Sequence, residues 1–262
     1  MQFSLERFFL LLRKRWAESG RMYLLGLAIL AGFWALTLSL FILAGNGNQN
    51  LQLVMLIMGL VGGGAMFAYH QFQQLSTTPG AIRFLHLPGS HLEKNLVALL
   101  LIFGFFLPAA IAVYYVVDIS LVEIARRRWW PDAAESPMKM LDWHKIGDAV
   151  ATYGIVTAVF ALGSVYFSRA ALVKTGAAFF VFGMVVLFAN FWLPYWLVPH
   201  SQNTMMVSEL FEKLELHNRT THEVDVMQLP NSWKTMFNVF LAVFLPAYCW
   251  CIAYVRLREK QA

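Results

Sequence analysis

The sequence predicts an all-α integral membrane protein. It reads as an N-terminal amphipathic interfacial helix followed by six transmembrane helices, forming a single transmembrane domain over 1–262 with both termini cytoplasmic. Three observations predict this. The 262 residues are 59% hydrophobic and only 13% charged, against about 25% charge in a soluble domain. Mean hydropathy is +0.57. Between Arg21 and Arg83 there is no Asp, Glu, Lys or Arg. A soluble fold of this size must show most of its surface to water and cannot bury such a run, whereas a bilayer can.

The chain opens with Leu5, Phe8, Phe9, Leu12 and Trp16 at helical spacing, while Glu6, Arg7, Arg13 and Lys14 lie largely off that stripe. This pattern predicts an interfacial helix over 1–21, lying in the plane of the membrane surface. A cleaved signal peptide would need an apolar core directly after the basic start. Here the long apolar run begins only at Met22.

Six runs are then long enough to cross a hydrocarbon core, which takes about 20 helical residues. They are 22–44, 51–71, 95–117, 148–167, 175–199 and 235–255. The first two are joined by the polar turn Gly45-Asn46-Gly47-Asn48-Gln49-Asn50. None of the six carries Asp, Glu, Lys or Arg in its middle. Pro108, Pro194 and Pro246 interrupt the third, fifth and sixth, each either as the kink of a gate or as a static bend.

Orientation follows from charge. With the N-terminus inside, the cytoplasmic pieces hold 12 Lys and Arg against 4 acids, and the outer pieces hold 8 against 11. That is the asymmetry of the positive-inside rule, with Arg126-Arg127-Arg128 as a local exception. The excess of positive charge therefore faces lipid headgroups, and nucleic acid is not expected as a partner. Cys249 and Cys251 are two apart in the last run, where a helix turns them to different sides and keeps them from pairing.

The chemistry of catalysis is sparse. There is no phosphate-binding loop, since Lys174-Thr175 lacks the preceding glycines, so no ATP hydrolysis by that route is expected. No metal site, catalytic residue or cofactor is expected either. His86, His91 and Glu93, and separately His217, His222, Glu223 and Asp225, are grouped in sequence but fit no strong ligand spacing. Asn190, Phe191 and Trp192 precede Pro194 near an outer interface. They read either as lining of a substrate path or as a helix–helix hydrogen bond inside an aromatic belt. In 200–234, an extracytoplasmic loop, Met205, Met206, Leu210, Phe211 and Leu214 recur at helical spacing, which predicts short helices packed on the outer face.

The segment 72–95 is too polar to span. It holds two turn signals, Pro79-Gly80 and Pro88-Gly89. Ser90 followed by Glu93 is a capping box, so a helix starts at Ser90 and feeds the third span. Between the turns Ile82, Phe84, Leu85 and Leu87 are apolar handles on a short cytoplasmic helix or a plain connector.

The stretch Phe84-Leu85-His86-Leu87-Pro88-Gly89-Ser90-His91-Leu92-Glu93-Lys94 resembles the Phe-x-x-Leu-Pro-[Ala/Gly]-Ser-x-x-Glu-Lys segment of small bacterial ABC transporter permeases of the second membrane-subunit type, the type V exporter fold. Tyr166-Phe167-Ser168-Arg169-Ala170-Ala171-Leu172-Val173-Lys174-Thr175 is similar to their stretch between spans four and five. The resemblance implies a multi-pass permease of the bacterial cytoplasmic (inner) membrane, exporting its substrate and coupled to a separate ABC ATPase that alone binds ATP. It implies a second permease protomer, identical or different. It implies that 72–95 is the coupling segment, with Ile82, Arg83, Phe84, Leu85 and Glu93 facing the ATPase. Glu93 retains two readings, a cap to its own helix or a salt bridge to that partner. Two further function classes stay open: a non-transporting membrane subunit that passes force to an outer partner, and a membrane enzyme acting on lipid through the histidine groups.

Overall fold

Where charge is absent and no proline intervenes, a chain in an apolar solvent satisfies its backbone only by forming helix. The computed structural model describes residues 4–44, 49–73, 90–129, 146–167, 170–197, 203–209, 213–218, 224–228 and 230–259. Among these, six helices are long and apolar enough to cross a membrane, the make-up of a multi-pass membrane protein.

Helix α1 spans Leu5–Leu43 and α2 spans Gln49–Phe72. The third element is continuous: α3 (His91–Leu99), a π-helical stretch (Leu100–Phe106) and α4 (Leu107–Trp129). Then follow α5 (Ile146–Tyr166) and α6 (Ala171–Leu197). The chain ends in α7 (Asn231–Val239), a second π-helical stretch (Phe240–Phe244) and α8 (Leu245–Glu259).

Three sequence expectations change here. The expected boundary between an interfacial helix over 1–21 and a first span is absent. No proline falls before residue 44, and α1 runs unbroken for 39 residues, about 58 Å at 1.5 Å per residue. The third run does not stop at Val117. Apolar Ile119, Leu121, Val122 and Ile124 carry the helix on to Trp129, so the first part of the expected loop is helical. Finally, 200–234 contains a sheet rather than only short helices.

That sheet is antiparallel in the order β1-β2-β3, with β1 at Asn203–Glu209, β2 at Lys213–Asn218 and β3 at Val224–Gln228. Its register sets Met205 opposite Leu216, and Leu214 opposite both Val207 and Met227. The physical reason is the period. Lys213-Leu214-Glu215-Leu216-His217 alternates strictly, as does Val224-Asp225-Val226, and a period of two belongs to a strand. The 3.6-residue spacing from Met205 to Leu214 runs from β1 into β2.

Helix α5 is central, packed between α2 and α8 and carrying α6 on another side. Small residues allow this closeness: Ala149, Gly154, Ala158, Ala161, Gly163 and Ser164 are all buried on it. In α2 two glycines receive aromatic rings. A Cβ on Gly59 would run into the Trp34 indole, and one on Gly64 would meet Tyr153. The buried aromatics tie helices together through backbone carbonyls. Trp34 Nε1 donates to Met55 O at 3.0 Å, Tyr114 Oη to Gln52 O at 2.8 Å, and Tyr153 Oη to Ile102 O at 2.8 Å inside the π-helical stretch.

Both π-helical stretches end two residues before a proline, Phe106 before Pro108 and Phe244 before Pro246. Proline removes one N–H and crowds the carbonyl four residues back. A widened turn just upstream relieves that crowding. Pro194, by contrast, sits in α6 without such a stretch.

Candidate functional site

Two places on the third helical element bury a carboxylate, and the α1–α2–α3 junction around the first is the candidate site. Ser90, with extended backbone, caps α3 through a full capping box. Ser90 N donates to Glu93 Oε2 at 2.8 Å, and Glu93 N donates to Ser90 Oγ at 3.2 Å. The other carboxylate oxygen reaches across to α1. Ser4 N donates to Glu93 Oε1 at 2.8 Å, and the Arg7 guanidinium lies 3.6 Å from the same oxygen. Glu93 is 0% exposed.

A second tie joins the same half of α1 to the end of α2. Arg15 Nη2 donates to Gln71 O at 3.1 Å, and the Gln71 amide donates to Tyr23 Oη at 3.1 Å. Trp16 stands edge-on to Phe105 at 4.7 Å, and Phe72 meets Trp250 of α8 at 6.3 Å. The first half of α1 therefore clamps both the residues that lead into the segment 74–89 and the residues that follow it.

Of the sequence-derived coupling residues, Ile82, Arg83, Phe84 and Leu85 lie outside the described residues. Glu93 is described, and its geometry makes it a cap and an internal tie. Its two oxygens are engaged by Ser90, Ser4 and Arg7 and hidden from solvent, so the reading as a surface contact to a partner gives way to that of an anchor. The three residues of the expected substrate path, Asn190, Phe191 and Trp192, all lie on α6. Asn190 is buried, Trp192 is 59% exposed, and the Phe191 side chain lies outside the described residues. Among the histidines weighed as metal ligands, His86 and His222 fall outside the described residues, as do the side chains of His91 and His217. Among the described residues no cluster of three His, Cys, Asp or Glu is close enough to hold a metal. Cys249 is buried and Cys251 exposed, on different sides of α8.

Sequence reasoning missed the second carboxylate, Asp118, which is 0% exposed on α4. Gln52 Nε2 donates to Asp118 Oδ1 at 3.1 Å, and Tyr114 Oη, one turn earlier, donates to the Gln52 carbonyl. Trp34 crosses Tyr114 edge-on at 5.1 Å. The result is a polar cluster of α1, α2 and α4 inside apolar surroundings. The signal was present in the spacing: Tyr114, Asp118, Val122 and Ala125 share one helical face, and all four are buried. An ionisable side chain within such a helix costs about 2.5–3.5 kcal/mol, and the Gln52 amide offsets part of that with its hydrogen bond to Oδ1. No family model, no curated protein and no solved structure matches the chain.

Proposed function

We propose that this chain is the permease subunit of an ATP-driven exporter in the bacterial cytoplasmic membrane. In this reading both termini are cytoplasmic, a separate ABC ATPase binds the 72–95 segment, and a second permease protomer completes the path. One observation carries the reading: α1 grips both flanks of 74–89, at Gln71 and at Ser90–Glu93. A push delivered through Ile82, Phe84 and Leu85, with Arg83 at the rim, reaches three helices at once rather than dissipating in a connector. The π-helical stretches ahead of Pro108 and Pro246 then give the third and sixth spans places to bend. Glu93 serves as the internal anchor of the lever.

A photo-crosslinking residue at position 84, introduced in native membranes, tests this. The expected adduct is an ATPase with a phosphate-binding loop. Phe84→Ala combined with Ile82→Ala should abolish stimulation of that ATPase while the chain remains in the membrane. Absence of any ATPase adduct, or full coupling in the double variant, overturns the proposal. Orientation has its own test: cysteines at Gln49, Ser136 and Asn218 should react with an impermeant thiol reagent from outside, and cysteines at Thr77 and Gln261 should not.

A further inference from the structure

Between the first half of α1 and the third helical element runs a groove of about 590 Å³, a volume in the range of small-ligand sites. Phe9, Trp16 and Arg13 form one wall, and Leu100, Gly104 and Phe105 form the other. Apart from the Arg13 guanidinium the lining is almost wholly apolar. Gly104, lacking a side chain, opens the floor within the π-helical stretch. Phe9 and Leu100 stay exposed, so the groove opens sideways, toward the space a bilayer occupies around helices of this length and composition.

The charge at its edge is specific. Three neighbouring cations of α1 are engaged inside the chain: Arg7 by Glu93, Lys14 by Glu18 at 3.8 Å, and Arg15 by the Gln71 carbonyl. Arg13 is exposed, and no acidic side chain among the described residues pairs with it. Residues 4–21 carry five Lys and Arg against two Glu, so the local potential favours a net-negative ligand. An arginine beside a tryptophan above an apolar trough suits a phosphodiester with an acyl chain below it. A second groove offers a contrast. The pocket of about 530 Å³ between α1 and α2, lined by Leu25, Ile29, Met58 and Met66 among others, has no Lys or Arg in its lining.

We infer that the groove between α1 and the π-helical stretch is a binding site for one anionic phospholipid, with its phosphate on Arg13 and an acyl chain against Phe9, Leu100, Gly104 and Phe105. The site stands independently of the exporter reading. Occupied, it would wedge lipid between the N-terminal half of α1 and the bend of the third span, and so set how firmly the two are held.

Native mass spectrometry of the full chain in detergent, titrated with phosphatidylglycerol or with phosphatidylcholine of the same acyl chains, tests the inference. Phosphatidylglycerol should be retained at least about tenfold better and should raise the thermal midpoint. Arg13→Gln, an exposed substitution, should abolish that preference. Gly104→Leu should reduce retention by filling the floor. Lys14→Gln, whose ammonium faces Glu18, should leave retention unchanged. If Gly104→Leu fails to fold, Arg13→Gln decides alone. Equal retention of the two lipids, or unaltered phosphatidylglycerol retention in Arg13→Gln, would mean annular lipid only and overturns the site.

Discussion

Glu93 and Asp118 are both acids, both fully enclosed and both on one continuous helical element, yet they are held in opposite ways. The Glu93 carboxylate is held mainly by backbone N–H groups, those of Ser90 and Ser4, with Arg7 beside them. Asp118 is held by a side-chain amide from another helix, that of Gln52. Backbone donors remain after any substitution, so removing Glu93 strands them. A side-chain donor can be deleted along with its acceptor. The first arrangement fixes chain geometry; the second is an exchangeable pair.

The sharpest test of that contrast is Glu93→Ala. It removes the reciprocal half of a capping box, where a cap is worth about 0.5–2 kcal/mol, and leaves a second, part-buried N–H without an acceptor, at the lower end of about 1–3 kcal/mol. Equilibrium unfolding of the solubilised protein should show a loss of about 3 kcal/mol. Glu93→Gln, which still serves in a capping box, should recover more than half of it. A loss under about 1 kcal/mol in the alanine variant would dissolve the distinction.

Asp118→Ala should cost somewhat less, about 2 kcal/mol, because the group it strands is the Gln52 side-chain amide. The double variant Gln52→Leu with Asp118→Leu should recover most of that loss, since replacing both partners by apolar groups is close to neutral. No such rescue exists for Glu93. A double variant worse than Asp118→Ala would show that Asp118 makes a contact Gln52 does not account for.

Gly59→Ala probes the packing beside the Asp118 cluster. Its new methyl must displace the Trp34 ring, and overpacking of this kind costs about 1–3 kcal/mol. Near-UV circular dichroism should report the displaced indole alongside the loss of stability. An unchanged spectrum would mean that the ring has room to move.

The smallest expected effect is a gain far from either acid. Ala170 has φ 52° between α5 and α6, a left-handed conformation costing an L-residue about 1–2 kcal/mol. Ala170→Gly should therefore stabilise by up to about 1 kcal/mol, reduced by the greater chain entropy of glycine in the unfolded state. It should leave the Glu93 and Asp118 variants with the same losses as before. Non-additivity would link this turn to the two clusters.

How far the sequence could be read depended on range. The Ser90–Glu93 box is three residues wide, and its signature is local, so the helix start was legible to the residue. That the same carboxylate holds Ser4 and Arg7 was not, because nothing in a local pattern selects one distant backbone N–H over another. Asp118 was hidden for a related reason: an acid reads as the end of an apolar run unless the face it occupies is followed through Tyr114, Val122 and Ala125. In 200–234 two periods coexist, and the helical spacing of Met205, Met206, Leu210 and Leu214 masked the alternation around Leu214 and Leu216. The segment 1–21 was legible as a helix, but its seamless continuation into the first span was not, since Gly20 is tolerated beside Trp16 without a break.

The tie between Ser4 and Glu93 also sets an order of events during synthesis. The donor and the acceptor are 89 residues apart. At about 5–20 residues per second a ribosome takes about 4–18 s to make the second after the first. Throughout that interval the N-terminal helix exists without the carboxylate that receives its leading amide, and Arg7 has no counter-charge from Glu93. The first turns must wait, unlatched at the bilayer surface or in the insertion machinery, until the start of the third span emerges. A nascent chain arrested before residue 90 would therefore carry Ser4 and Arg7 in a segment still open to protease, and one arrested well beyond it would carry them already latched.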